Sequence, residues 1–316
     1  MPLQNNAEHS EEARTAHGEG LPTRAYTPWL FLLPALAVYS VFVLYPILNS
    51  FRMSFLHWDG PMAMPEFCGA DNYAALLKDR VFWFSLWHNA LLLVGSLAIQ
   101  LPIAAFIAII LSYPTWGRTM FRTAFFAPMI MPTVAIATLW QYIYEPCDGL
   151  LSSLIRLFKP GFEYAWLATP GWSLLWIFVT ICWQFIGFHT VLFMAGLSAI
   201  PKDYYEAARI DGASEAQICL HIILPLMKPA AIVSATLSVV GSLKYFDLVY
   251  MMSGGLPVES REVLATYIYR LAFEQGQGRF GYGSAAAVAL FLAAMLVVMP
   301  LQAKRLKAGL RKKTEN

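Results

Sequence analysis

Charge is what this sequence has least of: Asp, Glu, Lys and Arg make up 13% of its 316 residues, where a soluble domain carries roughly a quarter. A chain so short of charge and 58% hydrophobic falls in the membrane class. Its net charge of +2 gives no reason to expect a nucleic-acid partner. Cysteine is sparse as well. Cys68, Cys147, Cys182 and Cys219 show no C-x-x-C spacing, which argues against a structural zinc site or a redox motif. There is no G-x-x-x-x-G-K-[ST] and not even a Gly-Lys dipeptide, so the chain cannot build a Walker A phosphate cradle. The alternation of a membrane β-barrel strand is missing too. The first 27 residues are polar, with no short apolar core followed by small residues, so no cleavable signal peptide is expected.

What is present is apolar and long. Six segments, near 28–49, 84–112, 124–144, 172–196, 229–252 and 284–303, reach the roughly 20 residues a helix needs to cross about 30 Å of hydrocarbon. With barrels set aside, helices are the only spanning form. The expected fold is an all-α polytopic membrane protein with six transmembrane helices. Its expected parts are a polar tail (1–27), a membrane domain (28–303) and a basic tail (304–316). If the N-terminus lies inside, thirteen Lys and Arg fall on the cytoplasmic side and eight outside, with the tail KRLKAGLRKK directly after the last span. Both termini are therefore expected in the cytoplasm. The external loops then carry interfacial aromatics such as Trp58, Trp83, Trp87 and Trp166.

This orientation puts one conspicuous polar insert, EAARIDGASEAQICLHIILP (Glu206 to Pro225), in the cytoplasm between the fourth and fifth spans. Ile200-Pro201 closes the fourth span, because Pro lacks an N–H and disfavours helix at the preceding residue. A short helix is expected from about Lys202 to Ile210, with Asp203 and Glu206 near its positive end. Asp211-Gly212 is a stop and turn signal. Ser214 and Gln217 fit a capping box, starting a second helix that runs to Leu224 and is punctuated by Pro225. Tyr204, Ala208 and Asp211 share one face, and Glu206 and Arg209 another. Small residues at 207 and 208 permit close approach, so the insert has the form of a knob for a cleft on a separate protein.

The spacing EAA, three residues, Gly, nine residues, Ile-x-Leu-Pro is met in full by Glu206, Ala207, Ala208, Gly212, Ile222, Leu224 and Pro225. In this the chain resembles the inner-membrane permease subunits of binding-protein-dependent ABC importers. The resemblance extends to Phe67-Cys68-Gly69-Ala70-Asp71-Asn72-Tyr73, to Phe126 to Tyr144 with Pro128, Pro132 and Trp140, and to Ala195 through Pro201. Phe246-Asp247 followed by Ser253-Gly254-Gly255 is similar as well, although Ser253 replaces the usual Thr and Leu256 delays the Pro. These segments look like the carbohydrate-uptake branch, and the maltose-type first permease in its short form. The resemblance implies a transport subunit of an ATP-driven importer for a sugar or related solute, without catalytic residues, metal or cofactor of its own. Its implied partners are a second, different permease subunit, a cytoplasmic ABC ATPase dimer, an extracytoplasmic solute-binding protein and membrane lipid. Residues 200–225 would form the coupling loop seated in the ATPase. The implied location is the plasma (inner) membrane of a prokaryote.

Polar residues at membrane depth are costly and face a bundle interior or a watery path. Gln184, Lys244, Tyr245 and Asp247 are the candidates for a translocation path. Lys244 and Asp247, three apart in one expected helix, share a face and either neutralise each other or line the path. Gln100, Gln141 and His189 read as hydrogen bonds between helices. Met252 to Leu256 superficially resembles an ATPase signature, but in a chain without a P-loop it reads as a turn. Besides a non-transport membrane scaffold, two rival functions stay open. One is the same machinery carrying glycerol phosphate, a polyol or another organic solute; the other is an ion-coupled secondary carrier using Lys244, Asp247 and Glu274. Cys68 and Cys147 share the outer side, where geometry decides whether they pair.

Overall fold

The computed structural model describes residues 27–60, 62–113, 117–255, 259–274 and 278–314. The polar N-terminal tail and Leu256 with its delayed Pro lie outside the described residues. The described residues up to Arg52 belong to a compact unit of their own. It holds one span, α1 (Trp29–Met53), whose apolar window has no buried residue.

The second unit opens with a two-stranded antiparallel ribbon, β1 (Leu56–His57) against β2 (Glu66–Phe67), with Leu56 opposite Phe67. Among the described residues, every element after it is a helix. α2 (Asp71–Lys78) leads into the long span α3 (Arg80–Ser112). Then come α4 (Arg118–Ile130), α5 (Thr133–Ile143), the short α6 (Leu150–Arg156) and the span α7 (Ser173–Ser198). α8 (Lys202–Ile210) and α9 (Glu215–Leu226) make the polar insert. α10 (Lys228–Lys244), α11 (Asp247–Met252), α12 (Leu264–Phe273) and α13 (Phe280–Thr314) complete the chain. Among the described residues, four helices are long and apolar enough to cross a membrane, or up to six spans when each of two bent pairs counts as one.

The bends correct two expectations. The segment 124–144 is not one helix, because α4 and α5 meet at 102°. Pro132 explains this: it holds Met131 extended (φ −70°, ψ 144°) and cannot itself donate into the preceding turn. The segment 229–252 is also interrupted. α10 stops at Lys244, and Tyr245 is extended (φ −63°, ψ 94°) before the chain turns helical again at Asp247. Nor does Pro225 end the second helix of the insert, which runs on to Leu226 before a 61° bend into α10.

Three prolines, Pro225 among them, are absorbed within their helices. Wide π turns at Ser40–Leu44, Ser96–Gln100 and Cys219–Ile223 each end just ahead of a proline, at Pro46, Pro102 and Pro225 respectively. A proline ring clashes with the carbonyl four residues back, and a wide turn moves that carbonyl aside without breaking the rod.

Packing between spans follows the small-residue rule of membrane helices. A Cβ on Gly187 of α7 would lie 1.8 Å from the Phe125 carbonyl oxygen of α4. The same close approach seats α13 on the ribbon, where a Cβ on Gly281 would lie 1.9 Å from the Leu56 carbonyl oxygen of β1. Three apolar clusters result. Ile136, Trp166, Ile177, Leu248 and Met252 build one; Leu76, Phe82, Leu264, Tyr267 and Tyr282 build another. The third joins Leu101, Leu111, Phe193, Leu197, Ile218 and Ile223 beneath the insert.

Candidate functional site

The insert folds into a hairpin whose geometry can be traced bond by bond. α8 begins after Pro201, with Asp203 in its first turn. It ends in a Schellman motif. Gly212 takes φ +79°, its N–H donates to the Arg209 carbonyl at 3.1 Å, and the Ala213 N–H donates to the Ala208 carbonyl at 2.9 Å. Left-handed backbone of this kind costs a residue with a Cβ energy that glycine is spared. The predicted capping box is present: the Ser214 N–H donates to Gln217 Oε1 at 2.8 Å, and the Gln217 N–H to Ser214 Oγ at 3.3 Å.

Tyr205, Ala208, Ala213 and Ile222 turn toward the apolar cluster. Glu206, Ala207, Leu224 and Pro225 remain exposed. Two hollows flank α8. One of about 440 Å³ is lined by Ser112, Tyr113, Ser198, Tyr205, Glu206 and Arg209. One of about 570 Å³ is lined by Tyr204, Ala207, Ala208, Asp211 and Ile222. The two predicted faces are thus both realised.

Sequence reasoning missed a staple across this hairpin. Glu215 accepts from the Tyr113 hydroxyl at 2.9 Å and from Arg209 Nε at 3.0 Å, with Arg209 Nη2 also at 3.0 Å. The Tyr113 hydroxyl, followed by the Arg209 guanidinium, holds the Glu215 carboxyl below its ordinary value of 4.5. An acid at the first position of α9 with an Arg six residues before it was the available signal. The Tyr113 contribution, 102 positions away, left none.

The four candidate path residues are divided by the break in the fifth span. Lys244 and Asp247 are both exposed but lie on different helices and form no ion pair, so their expected shared face does not exist. The extended Tyr245 between them destroys the three-residue register. Tyr245 packs beside Phe185 at 6.1 Å between ring centroids. Gln184 is buried at 3% exposure, with its Oε1 unbonded.

The break itself is held from outside the helix. With no helical N–H to take it up, the Ser242 carbonyl accepts from Asn89 Nδ2 at 2.8 Å, and Asn89 Oδ1 accepts from the Leu264 N–H at 2.8 Å. Gln141 does bond between helices, donating to the Met251 carbonyl at 2.8 Å. His189 meets Ser234 Oγ at 3.3 Å. Gln100, fully buried, finds no partner for either amide atom, contrary to the reading of it as an interhelical bond. Glu274 accepts from Tyr250 at 2.8 Å. Gly254 and Gly255, both at positive φ, form the turn expected of the signature look-alike. Cys68 and Cys147 are free.

At the end of α3 remote from the hairpin, Asp79 caps the helix by accepting from the Val81 N–H at 2.8 Å. Its other oxygen takes the Tyr267 hydroxyl at 2.5 Å and the Tyr282 hydroxyl at 2.9 Å. Arg270 grips Glu262 through two 2.8 Å bonds nearby. One carboxylate so joins α3, α12 and α13.

Comparison with known proteins places these features in a family. Residues 100–312 match the model described as the binding-protein-dependent transport system inner membrane component. The trehalose/maltose transport system permease protein of Thermococcus litoralis is 34% identical over 269 residues, covering 84% of this chain and 88% of that protein. The lactose transport system permease protein of Rhizobium radiobacter is 32% identical over 275 residues, with 86% and 90% covered. A chain of the bacterial alginate ABC transporter, solved in complex with an alginate pentasaccharide-bound periplasmic protein, shares the fold. Its TM-score is 0.76 at 21% identity, covering 87% of this chain and 92% of that one.

Proposed function

Given that the chain belongs to the binding-protein-dependent transport system inner membrane component family, we propose that it is the transmembrane permease subunit of an ATP-driven importer for a sugar or related solute. The observation that carries this reading is the hairpin. Every position of the spaced motif falls on it, and a Schellman turn and a capping box hold Glu206 and Ala207 outward on a firm base. The hydrolysis of ATP belongs to a separate ATPase dimer that receives residues 200–225 as its coupling element. A second permease completes the pathway, and an extracytoplasmic binding protein delivers the solute. In this arrangement the hairpin and both tails, 1–27 and 304–316, are cytoplasmic, and 28–303 is the membrane domain of a prokaryotic inner membrane.

Closure of the ATPase dimer moves the hairpin, and α7 and α10, joined to it covalently, move with it. We propose that Lys244 and Asp247, exposed on either side of the break in the fifth span, lie on the solute path together with Tyr245 and Gln184. Charges left unneutralised at membrane depth face water or solute rather than lipid. Sugar as cargo rests on the relatives named for trehalose, maltose and lactose transport.

The test is Glu206→Lys in the assembled transporter. Uptake should be abolished and ATPase association weakened; unchanged uptake and association would overturn the coupling role. Solute binding to the cognate binding protein names the cargo.

A further inference from the structure

We infer that Tyr113 is a positioning residue for energy coupling, tying the hairpin to the second span through Glu215. The inference rests on the coupling role proposed above.

α7 and α10 continue covalently from the hairpin, but α3 does not. Beneath the hairpin, α3 meets its neighbours chiefly through apolar surfaces, Leu101, Ala104, Ala108 and Leu111 against Phe193, Met194, Leu197 and Ile218, with a long 3.4 Å bond from the Thr190 hydroxyl to the Ala104 carbonyl among them. Apolar contact is non-directional, so such surfaces can slide past each other. A hydrogen bond to a carboxylate is directional and short. Tyr113 is the residue directly after Ser112, the last of α3, and its hydroxyl donates to Glu215 Oε2 at 2.9 Å. The opposite oxygen, Oε1, is held by Arg209 in the last turn of α8.

One carboxylate at the first position of α9, where the helix terminus favours negative charge, therefore joins the ends of three helices. The Schellman turn and capping box fix the angle between α8 and α9, so the hairpin moves as one body and Tyr113 carries that movement into α3. Arg209 and Glu215 are exposed and Tyr113 is half-buried, and pairs at such positions add little to stability. Removing the hydroxyl should leave the fold intact.

The experiment compares Tyr113→Phe, Glu215→Ala and their combination with the unaltered transporter in proteoliposomes supplied with loaded binding protein. Uptake and ATP hydrolysis are read on the same preparation, together with ATPase co-purification and Tm. Tyr113→Phe should lower solute moved per ATP several-fold with co-purification and Tm unchanged. Glu215→Ala, which frees Arg209 as well, should lower the ratio at least as far, and the double variant should fall no further than Glu215→Ala, because the Tyr113 link is already absent from it. An unchanged ratio overturns the inference. So does a fall in uptake, co-purification and Tm together, which marks a merely structural role, and so does an additive double variant. Glu206→Lys run alongside separates the two readings. If it abolishes uptake while Tyr113→Phe behaves as the parent, only the Tyr113 link fails; if it changes nothing, the coupling role itself fails.

Discussion

Asn89 is fully buried and satisfies two backbone groups that no helix satisfies, the Ser242 carbonyl and the Leu264 N–H. Replacing it by Leu leaves both groups unpaired in a dry interior, and should destabilise the protein by about 2 kcal/mol or more, read as a lower Tm in detergent. At Gly212, a Cβ would meet nothing within 4 Å, so Gly212→Ala costs only the strain of its φ of +79°, on the order of 1 kcal/mol. Circular dichroism of the fold should stay unchanged while ATPase association weakens. Glu215 adds a pH expectation. Its carboxyl is held below its ordinary value of 4.5, so its bonds contribute above that value and are lost as pH falls through the lower folded one. Solute moved per ATP should accordingly stay flat between about pH 6 and 8 as far as this group is concerned. Gly212 and the capping box were legible because each acts on its immediate neighbours. Asn89 was not, because a single amide inside Trp87 to Val94 gives no periodic sign of a partner 153 positions away.

Among the elements, the two broken spans differ in origin. The α4–α5 corner has a local cause in Pro132, and its residues were in plain view although the segment was read as one helix. Pro132→Ala restores a donor and frees Met131 from its extended preference, so spin labels placed on the outer ends of α4 and α5 should move apart as the 102° corner opens. The interruption at Tyr245 contains neither Pro nor Gly, and the Lys244 and Asp247 beside it read as a polar patch on one helix rather than as a break. It is maintained by Asn89 and by the packing of Leu248, Val249 and Met252 against α5 and α7, contacts a linear reading has no access to. The expectation of a shared Lys244–Asp247 face failed for this reason.

For the whole molecule, Lys and Arg asymmetry, not geometry, carries the orientation, and free cysteines make it testable. Cys147 is exposed and Cys68 half-buried, both unpaired. A membrane-impermeant maleimide should label Cys147 in intact cells without prior reduction, and leave Cys219 of the hairpin untouched until the membrane is opened; the reverse pattern would invert the topology. The two ends of α3 then bear different loads. Its 33 residues make a beam of roughly 50 Å, clamped at one end where Asp79 holds Tyr267 and Tyr282, and tugged at the other through Tyr113. A beam fixed at one support and loaded at its tip flexes at its weakest section. That section is the wide turn at Ser96–Gln100, where a proline two residues on removes a rung and Gln100 sits with its amide unbonded.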